Sequence, residues 1–186
     1  IEEMAKYAIN LNYEYIAITD HTKSLAMTGG SDEKKLLKQI KEIEKINKSY
    51  PNLKILSGAE VNILKDGALD INDETLSLLD FSAGAIHSHF HLSKDEQTNR
   101  LIKAMENPHI DIIFHPTGRI INKREALDLD IERVFKAATE TNTILEINAY
   151  PDRLDLKDSH IIAAKNMGVK FMINTDAHAA NQMDLM

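Results

Sequence analysis

The sequence predicts an α/β fold built on a parallel sheet, and three observations carry that prediction. Six short runs are almost continuously apolar, six longer stretches are amphipathic at helical spacing, and the two kinds alternate along the chain. Apolar runs of strand length are what strands covered on both faces look like. The intervening helices then supply both the covering layers and the crossovers. Periodicity leaves open whether such a sheet closes into a barrel.

A helix is expected over residues 1–11, where Met4, Ala5, Ala8, Ile9 and Leu11 recur behind acidic Glu2 and Glu3. A strand at 15–19 follows. Gly29 and Gly30 lack the spacing and the Lys-Ser/Thr of a phosphate loop and read as a turn. The next helix spans 32–49 with Ser31 placed to cap it. Its Lys34, Lys35, Lys38 and Lys41 alternate with acids, the mark of a solvated face. A strand at 54–59, a helix at 72–79 and a strand at 81–86 come next. The helix at 94–106 carries Ser93 and Glu96 at capping-box spacing. A strand at 111–114, a helix at 130–141, a strand at 143–148, a helix at 157–166 and a strand at 170–175 complete the series.

No linker, repeat or low-complexity tract interrupts this pattern, so residues 1–186 are read as one domain. The chain opens on Ile1 inside a helical pattern and stops after Asn181–Met186 without a closing element, so both ends are expected to be cut. The 43% apolar and 27% charged residues are those of an ordinary globular protein. No apolar run approaches the roughly 20 residues of a membrane span. The absence of cysteine excludes disulfides, thiolate ligands and a cysteine nucleophile, and suits a cytoplasmic setting. A net charge of −7 argues against extended nucleic-acid binding by this segment alone.

The ionisable residues gather where strands end. The first strand runs into Asp20-His21, the second into Glu60, the third into His87, the fourth into His115-Pro116 and the last into Asp176-Ala177-His178. In parallel α/β folds the C-terminal strand edge is where functional groups converge. Imidazole and carboxylate are the ligands that bind Zn, Mn or Fe without sulfur. Metal ions so held make hydroxide near neutral pH and neutralise charge on a phosphoester. No G-x-S-x-G elbow is present for a serine hydrolase. Of the alternating His87, His89 and His91, His87 directly follows the apolar run and is the expected ligand. His89 is a candidate substrate contact, and His91 belongs to the outgoing loop. His109 and His160 lie away from strand ends and are expected to be solvated.

The stretches YEYIAITDHTKSLAMTGG, ILSGAEVNIL, GAIHSHFHL, ENPHIDIIFHPTGRII, LEINAYPDRLDL and FMINTDAH resemble the polymerase and histidinol phosphatase (PHP) superfamily. The resemblance covers nearly the whole chain. HPTGR and EINAYPDRLDL are most similar to the C-terminal PHP domain of bacterial and archaeal family X DNA polymerases. It implies a distorted seven-stranded (βα) barrel with a three-metal site at the strand C-termini. On that pattern Glu60 would bridge metals; Glu60, His87 and His115 would hold one, His21 and His178 would help hold a second, and Asp176 with Glu60 would serve the third. Glu60, His115 and Asp176 would be the catalytic set, with divalent Mn, Zn or Fe as cofactors. Arg119, Lys23 and Arg153 would be candidates to pair a substrate phosphate, with arginine suited to bidentate contact.

The implied activity is hydrolysis of phosphoesters at DNA 3′ ends, exonucleolytic or end-processing in repair, with DNA reached through the full-length polymerase. The rivals are a free-standing phosphatase for a small ester such as histidinol phosphate, and a metal-binding module that catalyses little. Family members begin with a strand ending in His-x-His, and nothing of that kind precedes Ile1. A barrel lacking its first strand, fewer bound metals and weak activity are therefore expected of this segment. Asn62 stands where an acidic residue is commoner.

Overall fold

The structure, a computed structural model, describes residues 1–25 and 29–186. Six parallel strands lie side by side in chain order: β1 (Tyr15–His21), β2 (Lys54–Asn62), β3 (Phe81–Ala85), β4 (Ile112–Ile113), β5 (Ile144–Asn148) and β6 (Phe171–Asn174). A doubly wound sheet reverses its strand order at a switch point, whereas a barrel advances one strand per crossover. This chain advances. The sheet curls into a half-barrel, in keeping with the distorted barrel expected without its first strand.

Helix α1 (Glu2–Asn10) precedes the sheet, and the crossovers are helical: α2 (Glu33–Ser49), α3 (Asp73–Leu76), α4 (Lys94–Met105), α5 (Ile131–Thr141) and α6 (Asp158–Asn166), with a 3-10 helix (Ala180–Leu185) at the end. Ser93 and Glu96 form the capping box that starts α4. Helix α2 departs from expectation, since Asp32 and not Ser31 caps it, accepting from the Lys35 amide at 2.9 Å. Ser31 is engaged elsewhere, its amide donating to the His21 carbonyl at 2.7 Å. That contact brings the backbone so close that a Cβ on Gly30 would sit 2.0 Å from the Thr22 carbonyl oxygen. Only glycine fits there. None of the described helices is long and apolar enough to cross a membrane.

Alternation along the strands divides the apolar residues between two sides. Val61, Ile63, Ile113 and Leu145 pack outward under α4 and α5, against Leu101 and Phe135. A second cluster joins Ala5 and Ala8 of α1, Ile43 of α2 and Ile16 of β1 to Met183 of the 3-10 helix. A third holds Ala83, Ala85, Ile112 and Phe114, with Phe81, Ile144 and Met172 alongside. Phe81, Ile112, Phe114, Ile144 and Met172 of this cluster face open space beside the sheet. A cavity of about 1030 Å³ opens there, lined by strand residues from Ile16 to Asn174.

Buried Arg100 of α4 ties two strand exits together. Its guanidinium donates to the carbonyls of Ile63, Leu64 and Ser88, the last two at 3.0 Å each. Ile63 follows Asn62, and Ser88 follows His87, so the clamp sets the spacing of two segments that carry the site.

Candidate metal centre

The sheet register builds the site. His21, the last residue of β1, is the lateral partner of Glu60 on β2, and Asn62 is the partner of Ala85 on β3. His87 and His115 stand two residues beyond β3 and β4. Three strand exits thereby surround a single carboxylate. Glu60 is 4% exposed. Its Oε1 lies 3.0 Å from His87 Nε2 and 2.9 Å from His115 Nε2, and its Oε2 lies 3.2 Å from His21 Nδ1. The imidazole centroids of His21 and His87 are 5.0 Å apart, and those of His87 and His115 5.5 Å.

Burial alone would raise the Glu60 carboxyl, but hydrogen bonds from His115 and His87 outweigh it and hold the group well below the usual carboxylate range. Burial opposes charge on His115, and the Glu60 hydrogen bond and charge prevail, so that imidazole is held above its ordinary value. His21 is pushed down, chiefly by burial.

The donor set fits a divalent metal. His21, Glu60 and His87 offer ligand atoms all within 4.8 Å of one another. His21 Nδ1 is buried beside Glu60 and makes no hydrogen bond, and His115 Nδ1 is likewise buried without one. Buried nitrogens without partners are costly unless something else satisfies them. Neutral imidazoles around a carboxylate are ligands for Zn, Mn or Fe.

Asp176 and His178 sit at the edge of this cluster. The rings of His21 and His178 are 5.9 Å apart. His21, Glu60, Asp176 and His178 all line the cavity. Asp176 adopts a left-handed backbone, φ 53°. Its carboxylate is 3.2 Å from Arg153 Nε and accepts from Asn148 Nδ2 at 3.3 Å. Arg153 Nη1 is buried and has no hydrogen-bond partner among the described residues. Arg119 donates to the carbonyls of Arg153 and Leu154, bracing the segment that presents Arg153. Lys23 instead pairs with Glu33 at 2.6 Å. His89 is exposed, and its carbonyl accepts from Gln97.

Two further groups of residues escaped the sequence reading. Glu146 on β5 accepts from the His115 backbone amide and from Asn174 Nδ2, and burial pushes its carboxyl up to about 7. Thr22, Asn62 and Asp70 form a buried polar network behind His87. The available signal was polarity inside apolar runs, as in ILEIN and AEVNIL, because a buried polar group needs partners. His160 is half-buried with its ring 6.3 Å from Phe135, not solvated.

Comparison with known proteins agrees with this arrangement. The PHP domain family matches residues 1–150. The DNA polymerase/3′-5′ exonuclease PolX of Bacillus subtilis is 43% identical over 186 residues, the whole of this chain and 33% of that protein. The chain thus spans about a third of that relative. "Probable phosphatase TTE1963" of Caldanaerobacter subterraneus is 34% identical, across 96% of this chain and 69% of that one. Among solved structures, Listeria monocytogenes HisK superposes with a TM-score of 0.67 at 14% identity, covering 98% and 90% of the two chains. Lactococcus lactis histidinol phosphate phosphatase, solved with zinc, L-histidinol and phosphate, gives 0.62 at 15%, covering 99% and 83%. At such identities the superpositions speak for the fold. With a family match over most of its length and a relative 34% identical that it covers to 69%, the chain belongs to the PHP domain family.

Proposed function

We propose that this domain is a divalent-metal-dependent phosphoester hydrolase which, within a longer cytoplasmic family X DNA polymerase, processes DNA 3′ ends. The observation that carries the reading is the convergence of His21, His87 and His115 on buried Glu60, at 2.9 to 3.2 Å, beside a cavity that Asp176 and His178 also line. The PolX relative, aligned over the whole chain, supports DNA as the substrate class.

Bound Mn, Zn or Fe supplies an acidified water and neutralises charge on the phosphoryl group. The chain's own residues prepare the site for that chemistry. Glu60 offers both carboxylate oxygens, Oε1 toward His87 and His115 and Oε2 toward His21, and its carboxyl is held below the usual range. Strand register sets His21 beside Glu60, and His87 and His115 supply their nitrogens from two residues beyond β3 and β4. Asp176 is aimed by Arg153 and Asn148. Arg153 keeps Nη1 as an unused donor for a phosphate oxygen. Arg119 steadies that loop, while Lys23, paired with Glu33, and exposed His89 do not line the cavity and would meet only an extended substrate.

A small phosphate ester is the second reading, favoured by the phosphatase-named relative that this chain covers to 69%. Manganese-dependent cleavage of a 3′-ended oligonucleotide and of histidinol phosphate by the full-length protein separates the two. Loss of oligonucleotide cleavage in Glu60→Ala and His115→Ala is the expected result. Cleavage of histidinol phosphate alone would replace the first reading with the second. Undiminished activity in both variants would leave this domain a structural module.

A further inference from the structure

We infer that Asp70, acting through Asn62, is a positioning residue that decides which nitrogen of His87 carries the proton, and so keeps Nε2 free to meet a cation. The inference rests on the metal-site reading above and deepens it. Asn62, Asp70 and Thr22 are buried, at 4%, 6% and 0% exposure. Solvent therefore has little part in choosing their hydrogen bonds.

The orientation of the Asn62 amide follows from its neighbours. Nδ2 lies 2.9 Å from Asp70 Oδ2, 3.2 Å from the Thr22 carbonyl and 2.9 Å from Thr22 Oγ1. Carboxylates and carbonyls only accept, so this end of the amide must be the NH₂. Reversal would set its oxygen against two other oxygens. Thr22 Oγ1 donates to Asp70 Oδ1 at 2.6 Å, leaving its lone pairs to accept from Asn62. The amides of Ser24 and Asn62 also donate to Asp70, at 2.8 and 3.1 Å. Thr22 Oγ1 also lies 3.3 Å from the Glu60 carbonyl, a competing acceptor that leaves the orientation of the Asn62 amide unchanged.

Asn62 Oδ1, the other end of that amide, is 2.7 Å from His87 Nδ1. An amide oxygen only accepts, so Nδ1 carries the hydrogen. A neutral His87 then has its lone pair on Nε2. That nitrogen faces Glu60 Oε1 at 3.0 Å. That contact is a hydrogen bond only when Nε2 is protonated as well; in the neutral ring the lone pair faces the carboxylate, which is repulsive unless a metal cation stands between them. The network thus holds His87 in the tautomer a metal needs, although Asp70 touches neither the ring nor Glu60. Partners that orient a ligand in this way typically change metal affinity by about 10- to 100-fold when removed.

The test is the tautomer itself, read by long-range proton–nitrogen NMR on metal-free protein with nitrogen-15 histidine, well above the ordinary imidazole titration range. His87 is expected with its hydrogen on Nδ1. Hydrogen on Nε2 would overturn the inference, and this measurement needs no substitution that might unfold the chain. Asn62→Ala and Asp70→Asn are expected to release the fixed tautomer and weaken zinc binding by about 10- to 100-fold in calorimetry. Asn62→Asp, which keeps an acceptor, should retain hydrogen on Nδ1. An unchanged tautomer and zinc affinity in Asn62→Ala and Asp70→Asn, with the fold intact by circular dichroism, would also overturn it. If wild type and Glu60→Gln bind zinc equally poorly while His87 has the assigned tautomer, the metal-site reading fails and the Asp70 role stands.

Discussion

His21 and Glu60 are register partners across β1 and β2, and Nδ1 of one lies 3.2 Å from Oε2 of the other. Parallel pairing makes them lateral neighbours before any loop is placed. The other Glu60 oxygen is left to His87 and His115. One carboxylate is therefore the hub of three imidazoles, and most consequences of mutation run through it.

Glu60→Gln is expected to abolish metal binding. For the wild type, manganese or zinc at a hundred times Kd should raise unfolding free energy by about 2.7 kcal/mol, and a chelator should reverse the gain. Thermal unfolding with and without metal reads both. A metal-induced shift of equal size in the variant would show that the ions bind elsewhere.

Arg153 holds Asp176 at 3.2 Å and keeps a buried donor without a partner. Hydrogen bonds to charged groups contribute about 1.5–3 kcal/mol, so Arg153→Lys should lower kcat/KM for a phosphoester by roughly tenfold or more. Steady-state kinetics against unsubstituted protein measures this. Equal kcat/KM would assign Arg153 a purely structural part.

Arg100 donates to three carbonyls on two strand exits, of which that of Ile63 is buried. Arg100→Met fills similar space and donates nothing, leaving the buried Ile63 acceptor bare at about 1–3 kcal/mol. Urea unfolding should show a loss of about that size. Metal affinity should fall with it, since Ser88 adjoins His87 and Ile63 adjoins Asn62. A change within about 0.5 kcal/mol, as at ordinary surface positions, would contradict the clamp.

Burial raises the Asp155 carboxyl above its ordinary 3.8, despite hydrogen bonds from Thr117. The folded chain then binds a proton that the unfolded chain has released. Stability from this group is full below the unfolded value and declines as pH rises toward the folded one. Asp155→Asn should remove that part of the decline. Urea titrations across the acid range test it, and an identical slope in the variant would count against the assignment.

The candidate residues at the strand exits stood out in the linear sequence because each follows an apolar run read as a buried strand. Glu60, His87 and His115 needed only that rule and a parallel sheet. The capping box at Ser93 was equally plain, since it is a local matter of three residues. Asp32 displaced Ser31 as the cap of α2 for a non-local reason: the Ser31 amide is committed to His21, across a loop that periodicity cannot fold.

By itself, then, the sequence determined the order of elements, the parallel sheet and the edge at which imidazoles and carboxylates would gather, because these follow from polarity repeating at short range. The tertiary structure alone decided which of them meet. Register sets His21 against Glu60, Asp70 reaches Asn62 to orient His87, and Arg153 pairs with Asp176. Such contacts join residues far apart in the chain, and their geometry follows from strand pairing and loop closure, which leave no periodic trace in the amino-acid order.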